Sequence, residues 1–175
     1  WYPGAGLYRH VHIITKNKTY IPIWGIQLTT PIIEKDFAKV LVNTEFVTDN
    51  KANISVETTI FNAKGEKLTT HTTQSTQYTG DVLSNELYIN HPTLWDIGKP
   101  YLYKAVTKLY ENGVVKDEMS TTFGIRSIEL KPNDGLYLNG RKIKIQGVCM
   151  HHDLGALGGA VNEAAIRRQI RIMQD

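Results

Sequence analysis

A single cysteine, Cys149, is the only thiol in the 175-residue sequence. No disulfide can form within the chain, so cysteine usage assigns no redox compartment and supplies no covalent framework. Long apolar runs are missing too. None approaches the roughly 20 residues that span a bilayer, and the opening WYPGAGLYRH lacks the basic start and apolar core of a secretory leader. Neither sign of charge dominates: 20 Lys and Arg stand against 17 Asp and Glu, for a net charge of +3. The basic residues are scattered, and the nearest cluster, Arg167, Arg168 and Arg171, falls at helical spacing. That pattern argues against a nucleic-acid footprint. The glycine-rich GALGG, residues 155–159, lacks the spacing of a dinucleotide or P-loop fingerprint, and no Lys-Ser/Thr follows it.

What is present falls into three zones. In residues 1–27, Leu7 to Ile13 alternates as a strand would, with Leu7, Arg9, Val11 and Ile13 on one face. Residues 28–126 carry an almost unbroken β signal. KVLVNTEFV and NISVETTIF alternate cleanly. The threonine-rich KLTTHTTQSTQYT favours a solvated edge strand, and Glu111-Asn112-Gly113 predicts a hairpin turn. About seven short strands with turn signals every 8–12 residues are the pattern of an immunoglobulin-like sandwich without its disulfide.

Residues 127–175 change character. A hairpin is expected around Asn139-Gly140. IKIQGVCMHH reads as a strand buried on both faces. NEAAIRRQIRIM reads as a helix capped by Asn162, with Ile166, Ile170 and Met173 on one stripe. Strand, glycine loop and amphipathic helix are the opening of a β/α unit. The chain lacks an initiator Met and opens on Trp1, and its helix runs to Asp175. The expectation is an excised piece of a longer protein.

The most chemically suggestive residues are His151, His152 and Asp153. On a strand, His151 and Asp153 share one face and His152 takes the other. Adjacent strand histidines grip one metal poorly, and no further His or Cys cluster supplies the missing ligands. A polar strand end bonded to the glycine loop is the plain reading. The functional one is that His151 stands at the C-terminal end of a β/α strand, where active sites form. Cys149 reads as a packing cysteine. Trp1, Trp24 and Trp95 are candidate sugar platforms, although Trp95 between prolines suits a loop anchor. Arg126 suits an anion site or an ion pair at a strand end.

The segments WYPGAGLYRHVHI, WGIQLTTP, HPTLWDIGKPYLYKAVTKLYENG, FGIRSIEL and GLYLNGRKIKIQGVCMHHDLGALG occur together in this order. In this the chain resembles the β-galactosidases of glycoside hydrolase family 2, with β-glucuronidases and β-mannosidases as relatives. The resemblance implies a mainly β fold: residues 1–27 as the last strand and connector of a jelly-roll sugar-binding domain, 28–126 as the immunoglobulin-like sandwich, and 127–175 as the first strand and helix of a truncated (β/α)8 catalytic barrel. It further implies retaining hydrolysis of terminal β-galactosides by two glutamates, both lying beyond Asp175. This chain alone would then hold no catalytic residue and be inactive. Glu129 and Glu163 lie in no matching motif and are not candidates. By the same resemblance His151 lines the substrate-binding rim, with Asp153 a second substrate-binding position.

No cofactor or metal is expected in the chain, although the resemblance leaves Mg or Na ions open for the whole enzyme. The implied partner is a β-galactoside-containing oligosaccharide, with no nucleic acid and no membrane, and an extracytoplasmic location is favoured. Two alternatives stay open: a stand-alone sandwich acting as a carbohydrate-binding or interaction module, and a metalloprotein using His151, His152 and Asp153.

Overall fold

The computed structural model describes residues 10–49, 53–75, 81–151, 158–160 and 162–175. The chain divides into two compact units, residues 16–144 and a second made of 1–15 with 145–175.

The first unit is built on seven antiparallel strands: β1 (Ile26–Ile33), β2 (Phe37–Glu45), β3 (Ile54–Phe61), β4 (Lys67–Gln74), β5 (Val82–Asn90), β6 (Tyr103–Glu111) and β7 (Val114–Phe123). They form a three-stranded sheet in the order β1-β2-β5 and a four-stranded sheet in the order β4-β3-β6-β7. This is the immunoglobulin-like sandwich that the alternation predicts, with β4 kept beside β3. The threonine-rich β4 is an edge strand, as expected. Pro31 sits in the edge strand β1 where its register with β2 shifts. A proline there removes no needed ladder bond. Asn112 and Gly113, at φ 51° and 79°, close the β6–β7 hairpin, the double positive φ that Asn-Gly supplies cheaply. At the start of β6 the Tyr103 hydroxyl accepts from Thr93 N at 2.8 Å and donates to Thr93 O at 3.3 Å. Such a tyrosine corner is characteristic of immunoglobulin-like sandwiches, and burial pushes this phenol above its ordinary pKa.

The core lies between the sheets in two clusters. One gathers Val40, Val42, Ile60, Leu87, Tyr103 and Ile125 among others, and the second Ile21, Phe46, Ile54, Val56 and Leu109. Between them runs a buried polar belt of Thr44, Thr58, Asn85 and Thr107, one residue from each of β2, β3, β5 and β6. Thr58 and Thr107 bond each other at 3.3 Å. Asn85 donates to His71 O at 2.8 Å and Val56 O at 3.2 Å, tying β5 to the opposite sheet.

Residues 16–21 are fastened to the same body. The Lys16 ammonium meets Asp117 Oδ2 at 2.7 Å, and Ile21 N donates to that oxygen at 2.9 Å. Thr19 Oγ1 donates to Glu111 Oε1 at 2.6 Å. After β7 comes a small antiparallel meander of β8 (Ile128–Lys131), β9 (Gly135–Leu138) and β10 (Arg141–Ile143), the last pair turning at Asn139-Gly140 with φ 51° and 75°.

In the second unit, α1 (Glu163–Gln174) forms where expected, its first turn capped by the Asn162 side chain accepting from Ala165 N at 3.1 Å. Two strand expectations differ from the structure. Residues 10–13, the described part of the Leu7–Ile13 stretch, are not in a strand, and Ile13 is 96% exposed. Strand geometry in IKIQGVCMHH stops at Ile143; residues 144–151 form no ladder, and Ile145 is 75% exposed. A strand covered on both faces takes its hydrogen bonds and its cover from neighbours. The described residues give this segment no strand to pair with.

Candidate functional site

His151 ends the exposed segment 144–151, and its side chain is open to solvent. His152 and Asp153 lie outside the described residues, so their relation to His151 is not part of the observed geometry. Cys149 is exposed, which corrects its reading as a packing residue: its apolar surroundings in sequence do not become a buried environment. Glu129 pairs with Lys131 at 3.6 Å on the meander, and Glu163 stands 3.9 Å from Arg167 in the first turn of α1. Both carboxylates do ordinary surface work. Among the described residues no group of three or more His, Cys, Asp or Glu is placed to hold a metal ion. Among them, too, no helix is long and apolar enough to cross a membrane.

The family-like segments HPTLWDIG, FGIRSIEL and GLYLNGRKI, far apart in sequence, converge at one end of the sandwich. Trp95 N donates to Ile125 O at 2.8 Å. The Trp95 side chain lies over Gly124, where an added Cβ would come 2.9 Å from its Cβ and 3.1 Å from the nearest indole carbons. Arg126 sits over the indole, its guanidinium carbon 4.7 Å from a ring centroid. It therefore makes a cation–π contact, in place of the ion pair considered for it, and no ion pair of Arg126 is found among the described residues. Asn139 completes the joint. Its Nδ2 donates to Trp95 O at 3.0 Å, its Oδ1 accepts from Ser127 N at 3.0 Å, and its own N donates to Ser127 O at 3.0 Å. Arg141 adds a 2.8 Å ion pair to Asp96. Trp95 is thus a loop anchor, as its sequence context suggested. The joint holds the meander to the sandwich at both the backbone and the side-chain level.

On the meander, Asp134 receives hydrogen bonds from Lys142 at 2.6 Å and from Tyr137 at 2.5 Å. The two bonds, that of Lys142 foremost, lower the pKa of its carboxyl, and the bond to Asp134 pushes the Tyr137 phenol up.

Trp24 behaves differently from Trp95. It has a positive φ of 68° and is 92% exposed. Its residue type makes it a candidate sugar platform, but the positive φ is not evident from the sequence around it. The nearest signal is the Gly25 that follows it.

The family model for Glycosyl hydrolases family 2 matches residues 19–126, more than half of the chain. The β-galactosidase BoGH2A of Bacteroides ovatus is 37% identical over 179 residues, a match covering 100% of this chain and 21% of that protein. A β-glucuronidase of Bacteroides fragilis is 25% identical over 180 residues, covering 98% of this chain and 26% of that protein. A crystal structure of a glycosyl hydrolase family 2 member from Bacteroides cellulosilyticus matches with a TM-score of 0.89 at 31% identity, over 99% of this chain and 23% of that one. The chain thus spans about a fifth to a quarter of the length of these proteins. With its sandwich matched throughout and its converging segments in place, the chain belongs to glycosyl hydrolases family 2.

Proposed function

We propose that the chain is part of a retaining glycoside hydrolase acting on terminal β-galactosides. The observation that carries this reading is the 37% identity, along the whole chain, to a protein named as a β-galactosidase. In this reading residues 1–27 close a preceding sugar-binding domain, 28–126 are the sandwich, and 127–175 begin a β/α barrel. The two glutamates that act as nucleophile and acid/base, about 5–5.5 Å apart in a retaining enzyme, lie outside these residues. His151 and Asp153 take the substrate-binding rim, where an imidazole donates to a sugar hydroxyl as charge develops at the anomeric carbon. No residue of the chain is assigned to Mg or Na, and no step is routed through either ion.

The match to a β-glucuronidase supports a second reading, in which the same scaffold serves a terminal uronic acid.

The test is a turnover assay on the whole protein that carries this chain, with paired chromogenic β-galactoside and β-glucuronide substrates. The expected result is a higher kcat/KM on the galactoside, and a preference for the glucuronide overturns the first reading. His151→Ala should lower kcat/KM on the order of a hundredfold, the scale on which a transition-state hydrogen bond acts. The 175-residue chain alone should show no turnover.

A further inference from the structure

We infer that the surface around Trp24 is a second carbohydrate-docking site, on the sandwich and built for a neutral sugar unit. Three observations meet there.

The first is the backbone. A tryptophan at φ 68° occupies the left-handed region, which costs an L side chain with a Cβ and persists only where the surroundings enforce it. They do so here. Gly25 N donates to Pro22 O at 2.9 Å, and Glu45 N donates to Gly25 O at 2.7 Å. A Cβ on Gly25 would fall 2.9 Å from Pro22 Cδ and O. The turn is clamped, and Trp24 is the residue it presents.

The second is exposure. The indole is 92% exposed and Val82 beside it 54%. The largest apolar side chain is normally among the most buried on average. Held out of the core by its own backbone, it offers a flat apolar face.

The third is the polar rim. Gln27, Asn43 and Glu45 line the same shallow cleft on the outer face of β1 and β2. Ser84 Oγ donates to Asn43 Oδ1 at 2.7 Å, and Asn43 Nδ2 donates to Gln27 Oε1 at 3.3 Å. That chain of bonds leaves the Gln27 amide nitrogen as a donor toward the cleft. The Glu45 carboxylate has no ion pair or side-chain hydrogen bond among the described residues. An apolar plate edged by one donor and one acceptor matches a pyranose, whose C–H face is apolar and whose hydroxyls both give and accept hydrogen bonds. Its single formal charge is negative, which favours a neutral hexose over a uronic acid.

The test uses nitrogen-15-labelled 175-residue chain, with the Trp24 indole N–H followed by NMR. Two probes are titrated: a β-galactan tetrasaccharide and a glucuronic-acid-containing tetrasaccharide. The expected result is a saturable shift of the Trp24 signal with the neutral probe, weaker binding of the acidic probe, and an unmoved Trp95 signal. Trp24→Gly, which keeps the turn without its backbone cost, should weaken binding on the order of tenfold or more. Glu45→Gln should weaken it without altering the fold. The absence of a saturable shift with both probes overturns the proposal, as does preference for the acidic probe. So does protection of Trp24 from acrylamide quenching in the whole protein, which would make this face a contact with another part of the polypeptide. Turnover of a small chromogenic glycoside by the whole protein should be unchanged in Trp24→Gly. Failure here and failure of the hydrolytic reading are therefore separate outcomes.

Discussion

A Cβ placed on Gly124 would lie 2.9 Å from the Cβ of Trp95. The glycine is there because the indole needs its space. Gly124→Ala should destabilise the first unit by about 1–3 kcal/mol, the usual cost of forcing a methyl into a filled site. Urea denaturation followed by tryptophan fluorescence reads this directly. An unchanged midpoint would show that the joint gives way freely.

Asn139 does two jobs, adopting φ 51° and bonding both Trp95 O and Ser127 N. Glycine keeps the first job and loses the second. Asn139→Gly should therefore isolate the side-chain bonds, at about 0.5–1.5 kcal/mol, since the Ser127 amide is exposed and can turn to water. It should also speed hydrogen exchange at the Ser127 amide. Asn139→Ala should cost more, because it adds backbone strain.

The buried Thr58–Thr107 pair predicts strong non-additivity. Either threonine changed alone to valine leaves its partner's hydroxyl without its bond, at about 1–3 kcal/mol. Changing both should cost little or nothing, since two apolar groups of matching shape then meet. A double-mutant cycle in urea gives the coupling, and additive single costs would refute it.

The Asp134 carboxyl titrates below its ordinary 3.8 because Lys142, then Tyr137, bond its ionised form. A group depressed in this way adds stability above the unfolded-state pKa, and that stability is lost as pH falls through the lower folded value. NMR titration should place the Asp134 midpoint below 3.8, and Lys142→Ala should move it back up. Amide protection in the meander should decline over the same acid range, and Asp134→Asn should remove that dependence.

The sandwich was legible in sequence because its signals are local. Strict alternation in Phe37–Glu45 and Ile54–Phe61 marks the inward face residue by residue, and Asn112-Gly113 marks the β6–β7 hairpin. The segment after Ile143 is the opposite case, because its strand depends on partners that local periodicity does not supply. Ile145, Val148 and Met150 state that cover is wanted, but ladder partners decide whether a strand exists, and none is found among the described residues. The convergence of Trp95, Gly124 and Asn139 could not be read, because alternation says nothing about which loops meet. For the candidate site, His151 was nameable by resemblance, whereas Asp153 lies outside the described residues. Trp24 could be named as an aromatic but not as one set in the left-handed region, since composition carries no φ.

The belt of Thr44, Thr58, Asn85 and Thr107 has one more consequence. Alternation cannot detect a strand slipped by two residues, since every apolar side chain still faces inward. The belt detects it. A slip of two along β3 or β6 would part Thr58 from Thr107, and one along β5 would carry Asn85 away from Val56 O and His71 O, burying amide groups against hydrocarbon. Thr58, Thr107 and Asn85 act as a ruler across the sandwich, separating the native pairing from the one error that hydrophobic patterning tolerates.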